Sequence, residues 1–292
     1  MRASPEIVVL GTIKLDVRIP VQGPLGGEEE IAAGDAAFFV GGKGANQALA
    51  VSQHGGRATL IGCIGDDAIG RLVLQGLHGA GVSTALVRVV TGADTAVSVV
   101  LVTANGRNRI VTTRGASAHL TVDDVARDPV VGRAAAILSH GEVALAVTDA
   151  AFRIAPPAAL RLYTWGPVLS RRQPPFRALT DLLVVNQTEA ALVTDEREPV
   201  AAARCLLATG WPRVLITLGA RGALLVDPDG TVTVPAPAVT PVDTTGAGDT
   251  LIGVLAVRWS LPGCQGLVDA LPQAVTAASQ STTRLSWRAR IR

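Results

Sequence analysis

The chain has 292 residues and a formal net charge of +2, which is long enough for one large α/β domain and too weakly charged to be drawn to nucleic acid or an anionic membrane surface. Apolar residues make up 48% and aromatics only 3%, a blend that suits helices packed on a buried parallel sheet and does not suit stacking of single-stranded nucleic acid. Cys63, Cys205 and Cys264 stand far apart with no Cys-x-x-Cys pair, so neither a disulfide framework nor a zinc site is expected, and each cysteine is read as a small core residue.

Near the N-terminus, the apolar run 7–10 ends at Gly11 and predicts a buried strand. It is too short for a signal peptide, and no charge-free run approaches the ~20 residues of a membrane span. The expectation is therefore a cytoplasmic protein without membrane contact. From 14 to 40, charged and apolar residues mix irregularly around turns at Gly26-Gly27 and Gly34, a texture of short antiparallel strands. "GGKGANQALAVSQHGG" reads as a glycine-rich loop feeding a helix, "ATLIGCIGDD" as a second buried strand, and "AIGRLVLQGLHGAGV" as a helix ending on Gly81. Two β-rich runs then flank Asn105-Gly106, a strong hairpin signal.

After the hairpin come repeated helix–strand units, with strands predicted at 136–138, 160–164, 182–185, 214–218 and 223–226. Such alternation implies right-handed crossovers and a mostly parallel sheet covered on both faces. The segments near 12–40 and 95–113 do not fit that rhythm. They predict a small separate sheet beside the main body of a single domain over 1–292.

"PVDTTGAGDT", residues 241–250, runs straight into an apolar helix. Gly246, Ala247 and Gly248 would present backbone N–H groups at a helix N-terminus, which attracts anions. Asp249 falls in the first turn. Taken alone, it reads first as a helix cap, and alternatively as a general base beside an anion hole for a transferring phosphoryl group. "GGKGANQA", residues 41–48, is a second glycine-rich entry to a helix, with Lys43 and Asn46. It lacks P-loop spacing and by itself is either a phosphate cradle or a tight connection.

Together the two stretches resemble the signatures of the ribokinase / phosphofructokinase-B family of sugar and nucleoside kinases. "IGCIGDDAIG", "DLLVVNQTEA" and "VLITLGARGALL" lie between them in the family's order, so the resemblance covers nearly the whole chain. It implies a three-layer α/β fold with a mostly parallel central sheet and a small antiparallel β lid. It further implies an ATP-dependent kinase acting on the 5-hydroxyl of D-ribose to give ribose 5-phosphate and ADP. The alternatives are a sibling acting on deoxyribose, a nucleoside or another sugar, or a binding protein with impaired turnover.

By the same resemblance, Asp249 is the catalytic base and Gly246, Ala247 and Gly248 form the anion hole. Lys14, Asp16, Gly42, Lys43, Asn46 and Glu142 contact the sugar. Asn186 and Glu189 organise Mg²⁺ and phosphate largely through water, and Thr217, Gly219 and Gly222 line the ATP site. Asp243 and Thr245 flank a monovalent-cation site for K⁺. The lid implies a homodimer. His140, beside Glu142, is read as structural.

Four departures from the family pattern stand out. Lys14 replaces an asparagine, so a different or negatively charged acceptor is expected to gain. Tyr163-Thr164-Trp165-Gly166-Pro167 replaces an Asn-Pro-Ala-Pro-Ala stretch, and Asn186-Gln187 replaces Asn-Glu. Thr283-Arg284-Leu285-Ser286-Trp287 replaces a Thr-Arg-x-Gly-Ala element, which predicts a weakened K⁺ site, because a bulky residue does not adopt positive φ cheaply.

Overall fold

The computed structural model describes residues 4–22, 31–103, 108–166, 173–285 and 288–291. The Gly26-Gly27 and Asn105-Gly106 turns, Pro167, Ser286 and Trp287 lie outside those residues.

The chain opens with strands β1 (Glu6–Leu10), β2 (Lys14–Val21) and β3 (Ala37–Gly41), followed by helix α1 (Lys43–Gln53). Strand β4 (Arg57–Gly65), helix α2 (Ala68–Gly79) and strand β5 (Ser83–Val90) come next, then β6 (Ala96–Thr103) and β7 (Asn108–Thr112). The short helix α3 (Val122–Ala126) precedes β8 (Ala136–His140), α4 (Leu145–Ile154), β9 (Leu160–Thr164) and β10 (Leu182–Asn186). Helices α5 (Gln187–Thr194) and α6 (Pro199–Ala208) lead to β11 (Val214–Thr217), β12 (Ala223–Asp227) and β13 (Gly230–Val234). Helices α7 (Ala247–Trp259) and α8 (Leu267–Ser281) and the short strand β14 (Arg290–Ile291) complete the described elements.

Among the described residues the larger sheet has nine strands in the order β13-β12-β11-β10-β9-β8-β1-β4-β5. It is parallel from β11 to β5, and the edge strands β12 and β13 run antiparallel. Its central strands are apolar on both faces. In β1, Ile7 and Val9 join the core cluster under α1, α7 and α8, while Val8 and Leu10 join the cluster under α4 and α6. Burial on both sides explains why β1 reads as a continuous apolar run rather than an alternating one. The outcome is a three-layer α/β arrangement.

The two misfit segments do build a second sheet, in the order β14-β3-β2-β6-β7. Its pairs are antiparallel except β2 with β6, which is parallel. Strand β14 was not foreseen. It brings the end of the described chain back to β3.

Cys63 is a core residue as expected, and burial lifts its thiol to about 11. The same expectation fails for Cys205, which is exposed, and for Cys264, which is half-buried. Cys205 lies on α6, which buries Ala202, Ala203 and Leu206 and so leaves position 205 facing outward. No helix among the described residues is long and apolar enough to cross a membrane.

Candidate active site

The site forms where the C-terminal ends of β1 and β8 meet the glycine-rich start of α1 and the second sheet. Gly42 has φ 89°, and a Cβ there would meet the Thr12 carbonyl oxygen at 2.5 Å. Only glycine permits that approach. The Thr12 hydroxyl accepts from Lys43 N–H at 3.1 Å and donates to Glu142 Oε2 at 3.1 Å. One hydroxyl thus fixes the glycine-rich loop to the carboxylate beyond β8.

Gly246, with φ 76°, is the N-cap of α7, and Asp249 sits buried in its first turn. Asp249 does not cap the helix. Its Oδ2 accepts from Asn46 Nδ2 at 3.2 Å and its Oδ1 from Gln47 Nε2 at 3.1 Å. Burial pushes its carboxyl above the usual range, against the pull of Lys43 and of both amides. A carboxylate that is desolvated but held by amides is a competent proton acceptor. The other amide atoms, Asn46 Oδ1 and Gln47 Oε1, are buried without a protein partner, and such groups are normally satisfied by something.

Across the second sheet, Asp16, Ser98 and Thr112 stand in register and share one face, with Lys14 two residues before Asp16 on the same side. Lys14 Nζ donates to Glu142 Oε1 at 3.2 Å and to Thr112 Oγ1 at 3.0 Å. Its charge is neutralised inside the protein, which removes the reason to expect a negatively charged acceptor. Asp16 fills the space beside Gly41, where a Cβ would meet its carboxyl at 2.1 Å.

Burial lifts the Asp16 carboxyl even though Arg288 and Lys14 pull it down. Burial also pushes Glu142 up, but the Lys14 ammonium and the Thr12 hydroxyl beside it hold it below the usual carboxylate range. His140 is fully buried and structural, as expected. Its Nε2 accepts from Thr12 N–H at 3.2 Å, and burial drops it to about 3, so the ring stays neutral.

Beyond Gly248 a cavity of about 530 Å³ opens between the β11–β12 turn and α8. Thr217, Gly219 and Gly222 line it together with Ala247 and Gly248, and Val275 and Ala278 supply an apolar wall. Its size and mixed lining suit a nucleotide whose phosphates lie against the start of α7.

Asn186 and Glu189 form a reciprocal capping box on α5, with Glu189 N–H to Asn186 Oδ1 at 2.8 Å and Asn186 N–H to Glu189 Oε2 at 2.9 Å. Glu189 Oε1 lies over Gly166, where a Cβ would meet it at 1.7 Å. A carboxylate on the exposed side of this capping box fits a Mg²⁺ that keeps most of its waters.

Asp243 and Thr245 fit a monovalent cation poorly. Asp243 Oδ1 accepts from Thr245 N–H at 2.9 Å, and its Oδ2 lies 3.8 Å from Arg288 Nη2. A buried guanidinium already supplies the positive charge there.

The aromatic departure has a packing reason. Tyr163 stacks on Trp211 at 6.1 Å and meets Phe176 edge-on at 4.9 Å, and Trp165 tilts against Trp211 at 5.7 Å. These rings fill the core beneath β9 and do not enter the polar site. Sequence reasoning missed Thr12, Gln47 and Arg288. Gln47 carried a signal, adjacent to Asn46 in a glycine-rich signature, whereas Thr12 and Arg288 had none in local spacing.

Residues 4–290 match the model of the pfkB family carbohydrate kinases. Mouse ribokinase is 30% identical over 267 residues, covering 87% of this chain and 81% of its own. A deoxyribokinase of Salmonella typhi is 30% identical over 290 residues, covering 95% and 92%. The structure of Arabidopsis thaliana ribokinase complexed with ribose and ATP superposes with a TM-score of 0.83 at 28% identity, covering 98% and 94%.

Proposed function

This chain belongs to the pfkB family of carbohydrate kinases and is a phosphotransferase acting on a sugar hydroxyl, and from that premise we propose that it uses ATP to phosphorylate the 5-hydroxyl of D-ribose, giving ribose 5-phosphate and ADP. The observation that carries the reading is Asp249, buried at the start of α7 and anchored by Asn46 and Gln47. Around it, Asp16, Gly42, Lys43, Asn46 and Glu142 match the ribose pattern of the family. Short acids and amides read a ring of hydroxyls by paired hydrogen bonds.

In this reading the acceptor hydroxyl gives its proton to an Asp249 carboxylate oxygen. The hydroxyl oxygen forms the new bond to the γ-phosphorus, the bond from that phosphorus to the bridging oxygen of ADP breaks, and ADP leaves with that electron pair. The first-turn amides of α7 stabilise the charge that spreads over the transferring group. Glu189, through water, and Asn186 would hold Mg²⁺ on the ATP phosphates, where the ion neutralises charge. Thr217, Gly219 and Gly222 line the proposed nucleotide site, with Val275 and Ala278 against the base.

Deoxyribose is the second reading. Lys14 is tied to Glu142 and Thr112, and an ammonium donates but never accepts, so position 14 does not read a hydroxyl as an amide would. A deoxyribokinase of Salmonella typhi is as similar to this chain, at 30% identity, as mouse ribokinase is. The test is an ADP-release screen over pentoses, hexoses and nucleosides. The highest kcat/KM is expected for ribose. A higher value for deoxyribose moves the assignment to the second reading, and a nucleoside or hexose optimum overturns both.

A further inference from the structure

Arg288 joins two parts of the site that no local structure connects. It lies just before β14, which pairs with β3, and its side chain is buried. Nη1 donates to Asp16 Oδ2, Nη2 lies 3.8 Å from Asp243 Oδ2, and the guanidinium carbon sits 4.9 Å from the centre of the Phe39 ring.

The two acids have different origins. Asp16 belongs to the second sheet, while Asp243 belongs to the loop entering α7. That loop is pinned by Val242 N–H and Asp243 N–H, both donating to the Thr282 carbonyl at 2.7 and 3.0 Å. Two buried carboxylates without a counter-ion would be strongly disfavoured. The other nearby cation, Lys14, is engaged by Glu142. A guanidinium is always charged, and its planar fork reaches two carboxylates at once. Its Nε is buried without a partner, so charge and ring contact, rather than a complete hydrogen-bond set, hold it in place.

We propose that Arg288 is a built-in cation that stands in for a bound monovalent cation at Asp243 and ties the acceptor-facing sheet to the turn that carries Asp249. It is a positioning residue, since it acts through Asp16 and Asp243. Its kinetic consequence rests on the phosphotransfer reading above, but its electrostatic one does not.

The experiment uses the full chain with K⁺, Na⁺ or tetramethylammonium exchanged at constant ionic strength. Two quantities are read: the thermal midpoint without substrate, and the initial rate with MgATP and the best acceptor of the screen. The wild type is expected to show the same midpoint and rate in all three salts. Arg288→Ala is expected to lose about tenfold or more in rate, ~1.4 kcal/mol of barrier, and to melt lower. Low guanidinium or K⁺ should restore part of both in Arg288→Ala and neither in the wild type, and Arg288→Lys should fall between them.

Activation of the wild type by K⁺ of more than about tenfold overturns the proposal, as does an Arg288→Ala variant with full rate and no cation response. If Arg288→Ala does not fold, the wild-type salt series and Arg288→Lys decide. If no sugar is phosphorylated, the functional reading fails while the melting comparison still decides this one.

Discussion

The Lys14 ammonium lies 3.2 Å from Glu142 Oε1 across the gap between the second sheet and the tip of β8, and the lysine side chain is only 6% exposed. Removing one partner of such a pair leaves a poorly solvated charge. Lys14→Met is therefore expected to destabilise the fold by roughly 2–3 kcal/mol, less than for a fully buried pair because Glu142 keeps some water contact. Pairing it with Glu142→Gln should recover part of that loss. Urea unfolding of the two single variants and the double variant measures the coupling, and additive losses would show that the pair contributes nothing. Sugar acids should gain no advantage over neutral sugars in the wild type.

Asp249→Asn is expected to slow turnover by ~10²–10⁴-fold, the usual loss of a general base. Stability should change little. The amides of Asn46 and Gln47 can each flip to offer an oxygen to the new side chain, because Asn46 Oδ1 and Gln47 Oε1 have no protein partner. Near-normal kcat in this variant would remove the catalytic assignment.

Gln47→Ala separates positioning from folding. Gln47 donates to Asp249 Oδ1 and helps hold its carboxyl down against burial. Without that donor the carboxyl rises further. Activity needs the ionised base, so the acid limb of the kcat profile should move to higher pH. An unmoved limb would mean that Gln47 is only packing.

His140 makes stability depend on pH. The ring is neutral in the folded state and falls to about 3, while the unfolded value is about 6.5. Its unfolded form binds a proton first, so stability is full above about pH 6.5 and drains as pH falls toward 3, by an amount on the order of 5 kcal/mol. Denaturation midpoints across that window should show the slope. His140→Gln, which keeps an acceptor for Thr12 N–H, should flatten it.

The face of the second sheet opposite Asp16 bears a row of register partners, Phe38, Val17, Val99 and Val111, of which Val17 packs against the core cluster. Its ends are open, with Phe38 42% and Val111 67% exposed. An apolar row of this kind favours a cover, and a second copy of the chain meeting it face to face is the simplest. Light scattering at micromolar concentration is expected to give a dimer, and Val111→Lys a folded monomer. A wild type that stays monomeric counts against this pairing.

Much of this molecule is written in neighbouring residues. The continuous apolar runs at 7–10 and 182–185, the alternation of strands and helices, and the two glycine-rich helix starts depend on local features. These are two-sided burial, turn geometry and the positive φ that Gly42 and Gly246 supply. They were legible without coordinates, and so was the place of Asp249 in the first turn of α7. Strands β5, β13 and β14 were not, because edge strands carry weak patterns and take their shape from the sheet they join.

The ionic architecture was decided by tertiary structure alone. Gln47 meets Asp249 across 202 residues, Lys14 meets Glu142 across 128, and Arg288 meets Asp16 across 272. A cation's effect depends on which carboxylate it faces and how little water reaches the pair. Linear spacing carries neither quantity. Lys14 in sequence therefore read as a charge offered to substrate, while in the folded chain it is neutralised by Glu142.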